Sequence, residues 1–250
     1  MTDTTTLTDS DITASLPAPT QQALSRLNLK KAAWLDTRRK QSEGEAMLTT
    51  IRQRRQETEE EAKALNNEWR RLFRENNGAM TPRMKKLRPE IALGRETLDE
   101  FDDLMAEQEY KNKTLMADTA TRAGEYITAH NTFIEAYSLH LWEQFMNAHG
   151  KGLLQLLSLL KTTLGRRANE LTGVVDSVND PESVLKRFIA EKITGPAIKL
   201  DSSPEDDPLL KQTGAYPAHA ASVSAQNAPS PAALHKLHVQ RQRTKEEKAQ

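Results

Sequence analysis

Three of the six histidines lie in one short segment, residues 124–150, which reads GEYITAHNTFIEAYSLHLWEQFMNAHG. Histidine supplies general bases and metal ligands, so this segment is the first place to look for chemistry. On a helix, His130 falls on an apolar stripe, where we interpret it as a hydrogen-bonded core residue rather than a catalytic base. His140 and Glu143 are three residues apart and could both bind one metal ion. A zinc site needs three or four ligands, so this pair alone does not predict one. His149 lies near an expected helix end, where a cation is favoured without any function.

The stretch HGKGLL, which begins at His149, combines glycines and a lysine as phosphate-binding loops do. A Walker loop would need glycine in place of Phe145 and serine or threonine in place of Gly152, and a dinucleotide fingerprint would need glycine in place of Gln155. The chain also has no cysteine, which excludes thiol nucleophiles and thiolate metal ligands. We therefore predict no catalytic residue, no metal and no cofactor, and a protein that is not an enzyme.

The composition narrows the class of protein further. The chain has 35 basic and 35 acidic residues, 37% hydrophobic residues and a mean hydropathy of -0.70. Such a low apolar content favours an elongated helical protein with little interior. A sequence-independent nucleic-acid binder needs a basic excess, so we expect no direct nucleic-acid partner. The polar start lacks the features of a signal peptide, and no apolar run reaches the roughly 18 residues of a membrane span. We expect a cytosolic protein without membrane contact.

Two long helices are predicted to position the segment with the histidines. Residues 1–20 are polar with two prolines and predict a disordered arm, with Thr20 as a cap for the following helix. The segment that follows is rich in residues that favour a helix. Two sets of apolar residues in it recur at seven-residue spacing, and these two heptad rows predict a coiled coil. The rows hold Leu27, Trp34, Leu48, Ala62 and Trp69, and Ile51, Leu65 and Leu72. A stop at Asn76-Asn77-Gly78 and a start at Thr81-Pro82 predict an antiparallel coiled-coil hairpin over about 21–122.

The histidine-bearing segment then carries apolar residues on two sides, which is typical of a helix between neighbours or at a subunit interface. We assign to the core or to a dimer interface Trp34, Tyr126, His130, Phe133, Tyr137, Trp142 and Phe145. Residues 153–165 are apolar almost all round and predict a separate buried helix after a break at Gly150. Shorter helices are expected to complete an all-helical domain over 21–200.

The C-terminal region divides into a proline-rich linker, expected over 201–231, and a last helix, expected over 232–250. This helix is locally basic, and one interpretation is that it is a solvated tail. The alternative is a partner-binding helix with apolar anchors and a basic rim. The residues that we assign to such partner binding are Leu234, Leu237, Arg241 and Arg243.

Three stretches resemble the bacteriophage polarity suppression protein (Psu) family. They are KAAWLDTRRK at 31–40, the segment 123–165 with its G-x-Y-I-x-x-H start and F-M-x-x-H-G motif, and 214–240, which contains GAYPAHAAS and PSPAALHKL. Each stretch lacks a catalytic signature, but their order along the chain is specific. The hairpin and the N-terminal arm look longer here than the family pattern, which would change how partners fit.

The resemblance implies an all-α fold, in which each protomer of an intertwined dimer has a long antiparallel coiled-coil hairpin and shorter C-terminal helices. It implies binding and inhibition of the transcription termination factor Rho in the cytoplasm of the host bacterium, with the C-terminal helix expected to contribute. It also implies decoration or stabilisation of the phage capsid, as a second role or as the main one. An unrelated coiled-coil adaptor stays an alternative at this point.

Overall fold

The computed structural model describes residues 16–172, 180–200 and 207–249, and no strand occurs in these ranges. The helices are α1 (Ala18–Glu75), α2 (Pro82–Thr172), α3 (Pro181–Ile189), a π-helical turn (Ala190–Thr194), α4 (Gly195–Lys199), α5 (Pro208–Thr213), α6 (His219–Gln226) and α7 (Pro231–Ala249). The predicted all-α class, with two long helices in a hairpin followed by shorter helices, is confirmed.

The turn between α1 and α2 has the predicted chemistry. Asn77 and Gly78 both adopt positive φ angles, 49° and 86°, which is how helices commonly end. The Gly78 amide donates to the carbonyl of Phe73 at 2.9 Å and so satisfies one carbonyl of the last turn. Thr81 then caps α2, because its hydroxyl accepts from the Met84 amide at 3.3 Å.

The heptad rows lie on the buried side of α1. Leu27, Trp34, Leu48 and Ile51 are all buried, as the seven-residue spacing predicts. Nearer the turn, the row members are only half-buried; these are Ala62, Leu65, Trp69 and Leu72. The α1 side of the seam is therefore most deeply buried far from the turn, whereas near the turn the fully buried residues come from α2, Met84 and Leu87.

A polar layer interrupts this seam at Gly44, which occupies a heptad position and is buried. Its carbonyl accepts hydrogen bonds from the side-chain amides of Asn112, at 3.0 Å, and Gln108, at 3.3 Å. A Cβ atom at residue 44 would collide with the Asn112 side-chain oxygen, so any other residue there would displace Asn112 from this layer. A buried polar pairing of this kind specifies one register, since any shift would leave the amides unsatisfied.

Three ion pairs join the arms of the hairpin in the same register. Arg52 pairs with Glu109 at 2.7 Å and Arg83 with Glu68 at 2.9 Å. Arg55 pairs with Asp102 at 2.6 Å, and its hydrogen bond holds the pKa of that carboxyl below the usual range. All of these groups face water, so the pairs add little stability and act mainly on the choice of register.

The chain forms two compact units. The first comprises Met1–Asn28 and Thr128–Ala218, and the second comprises Leu29–Ile127 and His219–Gln250. The buried side chains of the first unit include Leu16, Leu24, Leu27, His130, Phe133, Tyr137 and Leu209. Those of the second include Trp34, Leu48, Ile51, Met84, Leu87, Tyr126 and Ala221.

The helix start differs from the prediction. Residues 1–15 of the expected N-terminal arm lie outside the described residues, but Leu16 and Thr20 are buried and α1 already begins at Ala18. Thr20 is therefore inside the helix and is not its cap. Pro19 is tolerated in the first turn, where its missing N–H costs no helix hydrogen bond. The Gln21 amide donates to the Pro17 carbonyl at 3.0 Å, and its side chain donates to the Leu16 carbonyl at 2.9 Å.

The predicted helix break at Gly150 is wrong, since α2 continues to Thr172. A glycine inside a helix costs about 1 kcal/mol, which the helix formers on both sides of Gly150 outweigh. The residue is covered by Met146, whose Cε would be 2.9 Å from a Cβ at this position. The expected burial of 153–165 is also wrong for the single chain, because Leu156 and Leu159 are more than half exposed.

The expected linker over 201–231 contains two short helices, α5 and α6, while residues 201–206 lie outside the described residues. Asp207 starts α5 by accepting hydrogen bonds from the amides of Leu209 and Leu210 at 2.9 and 3.0 Å. This cap and the proline that follows it suffice to nucleate a helical turn in a proline-rich segment. Helix α7 lies where the last helix was predicted.

Candidate partner-binding surfaces

His130 lies at the centre of the first unit and is fully buried. Its Nε2 donates a hydrogen bond to the carbonyl of Gly214 at 3.1 Å. Gly214 has a φ of 79°, and a Cβ there would be 3.1 Å from the Tyr216 carbonyl oxygen. The ring therefore holds the end of α5 against α2, and its burial leaves no open face for a substrate.

Tyr137 makes a second tie, two turns further along α2. Its hydroxyl donates to the Asp207 carboxylate at 2.7 Å, the same carboxylate that caps α5. Burial and the adjacent carboxylate raise the pKa of the Tyr137 hydroxyl far above its usual range, so it stays a donor. Phe133 stacks on the Tyr137 ring with centroids 5.6 Å apart. These aromatic residues hold the first unit together and form no reactive site.

Trp34 and Tyr126 form the corresponding aromatic contact in the core of the second unit. Their rings stack at 5.2 Å with only 5° between the planes, and both are buried. The Arg38 guanidinium lies 5.7 Å from the centre of the Trp34 ring, within the range of a cation–π contact. Nearby, Lys30 pairs with Glu125 at 2.8 Å and lowers the pKa of that carboxyl.

A large apolar surface remains exposed on α2 beyond residue 138. Trp142 is 55% and Phe145 is 43% exposed, and the two rings stack 6.0 Å apart. Further exposed side chains in this part of α2 are Leu139, Leu141, Leu154, Leu156 and Leu159. Soluble monomers seldom expose so many neighbouring large apolar groups, so this apolar face has the character of an interaction surface.

The C-terminal helix α7 contacts α2 through His238, whose Nδ1 lies 3.4 Å from the Tyr110 hydroxyl. On the other side of the ring, Nε2 lies 3.1 Å from the side-chain amide of Gln242. Leu234 is half-exposed. The side chains of Leu237, Arg241 and Arg243 lie outside the described part of the chain, so their assignment to partner binding stays a prediction.

The hairpin carries two blocks of opposite charge. They do not show in the net charge of the whole chain, which is zero. The basic tip, residues 69–88, holds seven arginines and lysines and one glutamate, a net charge of +6. The acidic belt, residues 57–63 of α1 and 95–103 of α2, holds nine acids and two bases, a net charge of -7. Sequence reasoning missed both blocks, and charge counted in short windows across the two arms would have found them.

No group of three or more histidine and carboxylate side chains in the described ranges is arranged to hold a metal ion. No described helix is long and apolar enough to cross a membrane. The surfaces that are candidates for partner binding are the apolar face, the C-terminal helix and the charged hairpin.

The family model of the phage polarity suppression protein (Psu) matches residues 20–246, from the start of α1 almost to the end of α7. The chain belongs to the Psu family. The resemblance seen in three separate stretches is thus confirmed over nearly the whole chain, and the alternative of an unrelated coiled-coil adaptor is wrong.

Two further comparisons find phage proteins that are similar to this chain. Glycoprotein 3 of Enterobacteria phage P4 is 25% identical over 203 residues, which cover 80% of this chain and 82% of that protein. A chain in a solved structure described as satellite phage P4 procapsid including size determination (Sid) protein superposes with a TM-score of 0.70. It is 22% identical, and the match covers 94% of this chain and 100% of the other, so the two chains share a fold.

Proposed function

We propose that this Psu family protein binds the capsid of a phage and acts on capsid assembly or stability. The observation that carries the proposal is the likeness, over the full length of the matched chain, to a chain from a phage procapsid. A local likeness would reflect only a common helical hairpin. Agreement over 94% of this chain extends to the hairpin and to the helices that follow it.

The apolar face supports a symmetric assembly. We infer that Trp142 and Phe145 pack against the same face of a second copy, because a two-fold contact buries one patch on both partners at once. The stacked pair supplies the large aromatic anchors that dominate stable interfaces. A dimer presents every other surface twice, so weak contacts with repeated capsid sites add up to strong binding.

Co-sedimentation with procapsids tests this function. The full chain is expected to pellet with purified phage P4-type procapsids in a fixed, saturable ratio to the capsid protein. A protein that stays in the supernatant at micromolar concentration would contradict the proposal. Bovine serum albumin is the control for non-specific pelleting. The variant Arg26→Glu/Lys113→Glu, altered at two exposed residues, is expected to pellet like the original chain.

A second candidate function is inhibition of Rho, which the family's description as a polarity suppression protein supports. A protein without an active site can stop a ring ATPase by binding its working states unequally, because only such a difference shifts their equilibrium. We propose that α7 contributes through Leu234, Leu237, Arg241 and Arg243. This role would place the protein in the host cytoplasm, whereas capsid binding places it on the virion or its precursor.

Rho ATPase and termination assays test the second candidate. The full chain is expected to lower both activities, and a chain ending at Pro231 is expected to lose at least about ten-fold in potency, as when interface anchors are removed. Equal inhibition by both chains would exclude α7. Absence of any inhibition by the full chain, together with binding to procapsids, would leave capsid binding as the function.

A further inference from the structure

We propose that the basic tip of one hairpin binds the acidic belt of a hairpin from a second copy, in a reciprocal two-fold contact. The two blocks carry +6 and -7 charges on the same hairpin. In each arm their centres are about 13 residues apart, or about 20 Å along the helix. Since the Debye length is only about 8 Å at physiological salt, the blocks of one molecule cannot neutralise each other.

The charges of the basic tip are available for a partner. Arg71 and Arg83 are engaged by Glu75 and Glu68. The other five cations of the tip are exposed and form no ion pair in the described structure; they are Arg70, Arg74, Lys85, Lys86 and Arg88.

The acidic belt is equally available. Arg55 engages Glu59 and Asp102, and Lys63 engages Glu59. Other exposed carboxylates of the belt have no ion pair among the described residues, and these include Glu60, Glu61, Glu96, Asp99 and Glu100. Both blocks therefore present unneutralised charge to solvent.

The positions of the two blocks select one arrangement. Two hairpins can lie side by side with their tips pointing in opposite directions. When the two tips are then about 20 Å apart along the hairpin axis, each tip lies against the belt of the other. Both contacts form at once, which is the self-complementary condition for a two-fold interface. Tips that meet face to face would instead oppose +6 with +6, which costs several kcal/mol.

Apolar groups lie along the same overlap. Phe73, in the tip, is 40% exposed, and Leu93, between tip and belt, is 63% exposed. Their burial would add a hydrophobic contribution to the electrostatic one. The contact uses surfaces other than Trp142 and Phe145, so it would join dimers into larger assemblies and does not depend on capsid binding.

A second copy fits these charges better than a nucleic acid does. A phosphate strand that followed the hairpin beyond the tip would run onto the acidic belt and be repelled. Another hairpin satisfies the tip and the belt together. Nucleic-acid binding by the tip is therefore a competing outcome that the experiment must detect.

Charge reversal of the full chain tests the contact. A tip variant reverses five cations (R70E/R74E/K85E/K86E/R88E) and a belt variant reverses five acids (E60K/E61K/E96K/D99K/E100K). The molar mass of the original chain, measured by light scattering, is expected to be larger at 50 mM than at 500 mM NaCl. Each variant alone is expected to associate at least about ten-fold more weakly, because like charges now meet. An equimolar mixture is expected to regain the large species, since its tips and belts are again opposite in charge.

A third variant reverses five exposed cations outside the two blocks (R26E/K113E/K192E/K199E/K211E) and is expected to associate like the original chain. Circular dichroism checks that all variants stay helical. The proposal is overturned if the original chain forms no larger species at 50 mM NaCl, or if the mixture behaves like its separate components. Binding of a labelled 20-nucleotide RNA or DNA that only the tip variant loses, with association unchanged, would assign the tip to nucleic acid instead.

Discussion

Replacement of Trp34 by alanine is expected to lower the free energy of unfolding by about 3–5 kcal/mol, the range for a large aromatic side chain removed from a core. Trp34 is only 2% exposed, and the substitution removes its stack with Tyr126 and its contact with Arg38. Urea unfolding followed by circular dichroism measures the change. Trp34→Phe is expected to cost much less, because the buried indole Nε1 has no hydrogen-bond partner in the described structure.

Trp142→Ala is the matched control at a tryptophan that is 55% exposed. At low protein concentration, where subunit contacts contribute least, it is expected to change the free energy of unfolding by less than about 1 kcal/mol. A cost for Trp142→Ala as large as that for Trp34→Ala under these conditions would show that both residues belong to the core of the single chain.

The second large effect is expected at the apolar face. The double variant Trp142→Glu/Phe145→Glu is expected to convert the proposed dimer into monomers at micromolar concentration. Each glutamate would have to be buried without a partner, which costs several kcal/mol. Light scattering coupled to size-exclusion chromatography at 500 mM NaCl measures the mass, since high salt suppresses contacts between the charged hairpins.

Leu29→Glu/Leu93→Glu is the control for this experiment, since it places two charges at exposed leucines of the second unit, 67% and 63% exposed. It is expected to leave the dimer at 500 mM NaCl unchanged. A dimer that persists in the Trp142→Glu/Phe145→Glu variant, or an original chain that is monomeric, would contradict the proposed use of this face.

The hairpin was predictable because its signals are local and repeated. A seven-residue spacing places Leu27, Trp34 and Leu48 on one face, and Asn77-Gly78 can adopt the positive φ angles that end a helix. Such signals act through the nearest turn of the chain and need no knowledge of the rest of the fold.

The failures have equally specific causes. The helix continues through Gly150 because the cost of one glycine is small beside the propensity of its neighbours. The assignment of Trp142 and Phe133 to the core or to a dimer interface is not a failure, but it leaves open which of the two places each residue takes. In the single chain Phe133 is fully buried and Trp142 is 55% exposed. Whether another part of the chain covers an apolar stripe is a long-range property, and periodicity does not contain it. The blocks of charge were missed because a total over 250 residues sums to zero.

Hydrogen bonds and ion pairs across the hairpin join residues that are nearly equally distant from Gly78, as Gly44 with Asn112 and Arg55 with Asp102 show. Because the pairing is symmetric about the turn, the length of the hairpin can change without any change in which residues pair. One heptad added to each arm would move the tip outward by about 10 Å and leave every existing pair intact. One heptad added to a single arm would shift that arm by seven residues against the other on one side of the insertion, and the pairs on that side would be lost. Relatives can therefore differ in the distance that their hairpins span while the packing beneath stays the same.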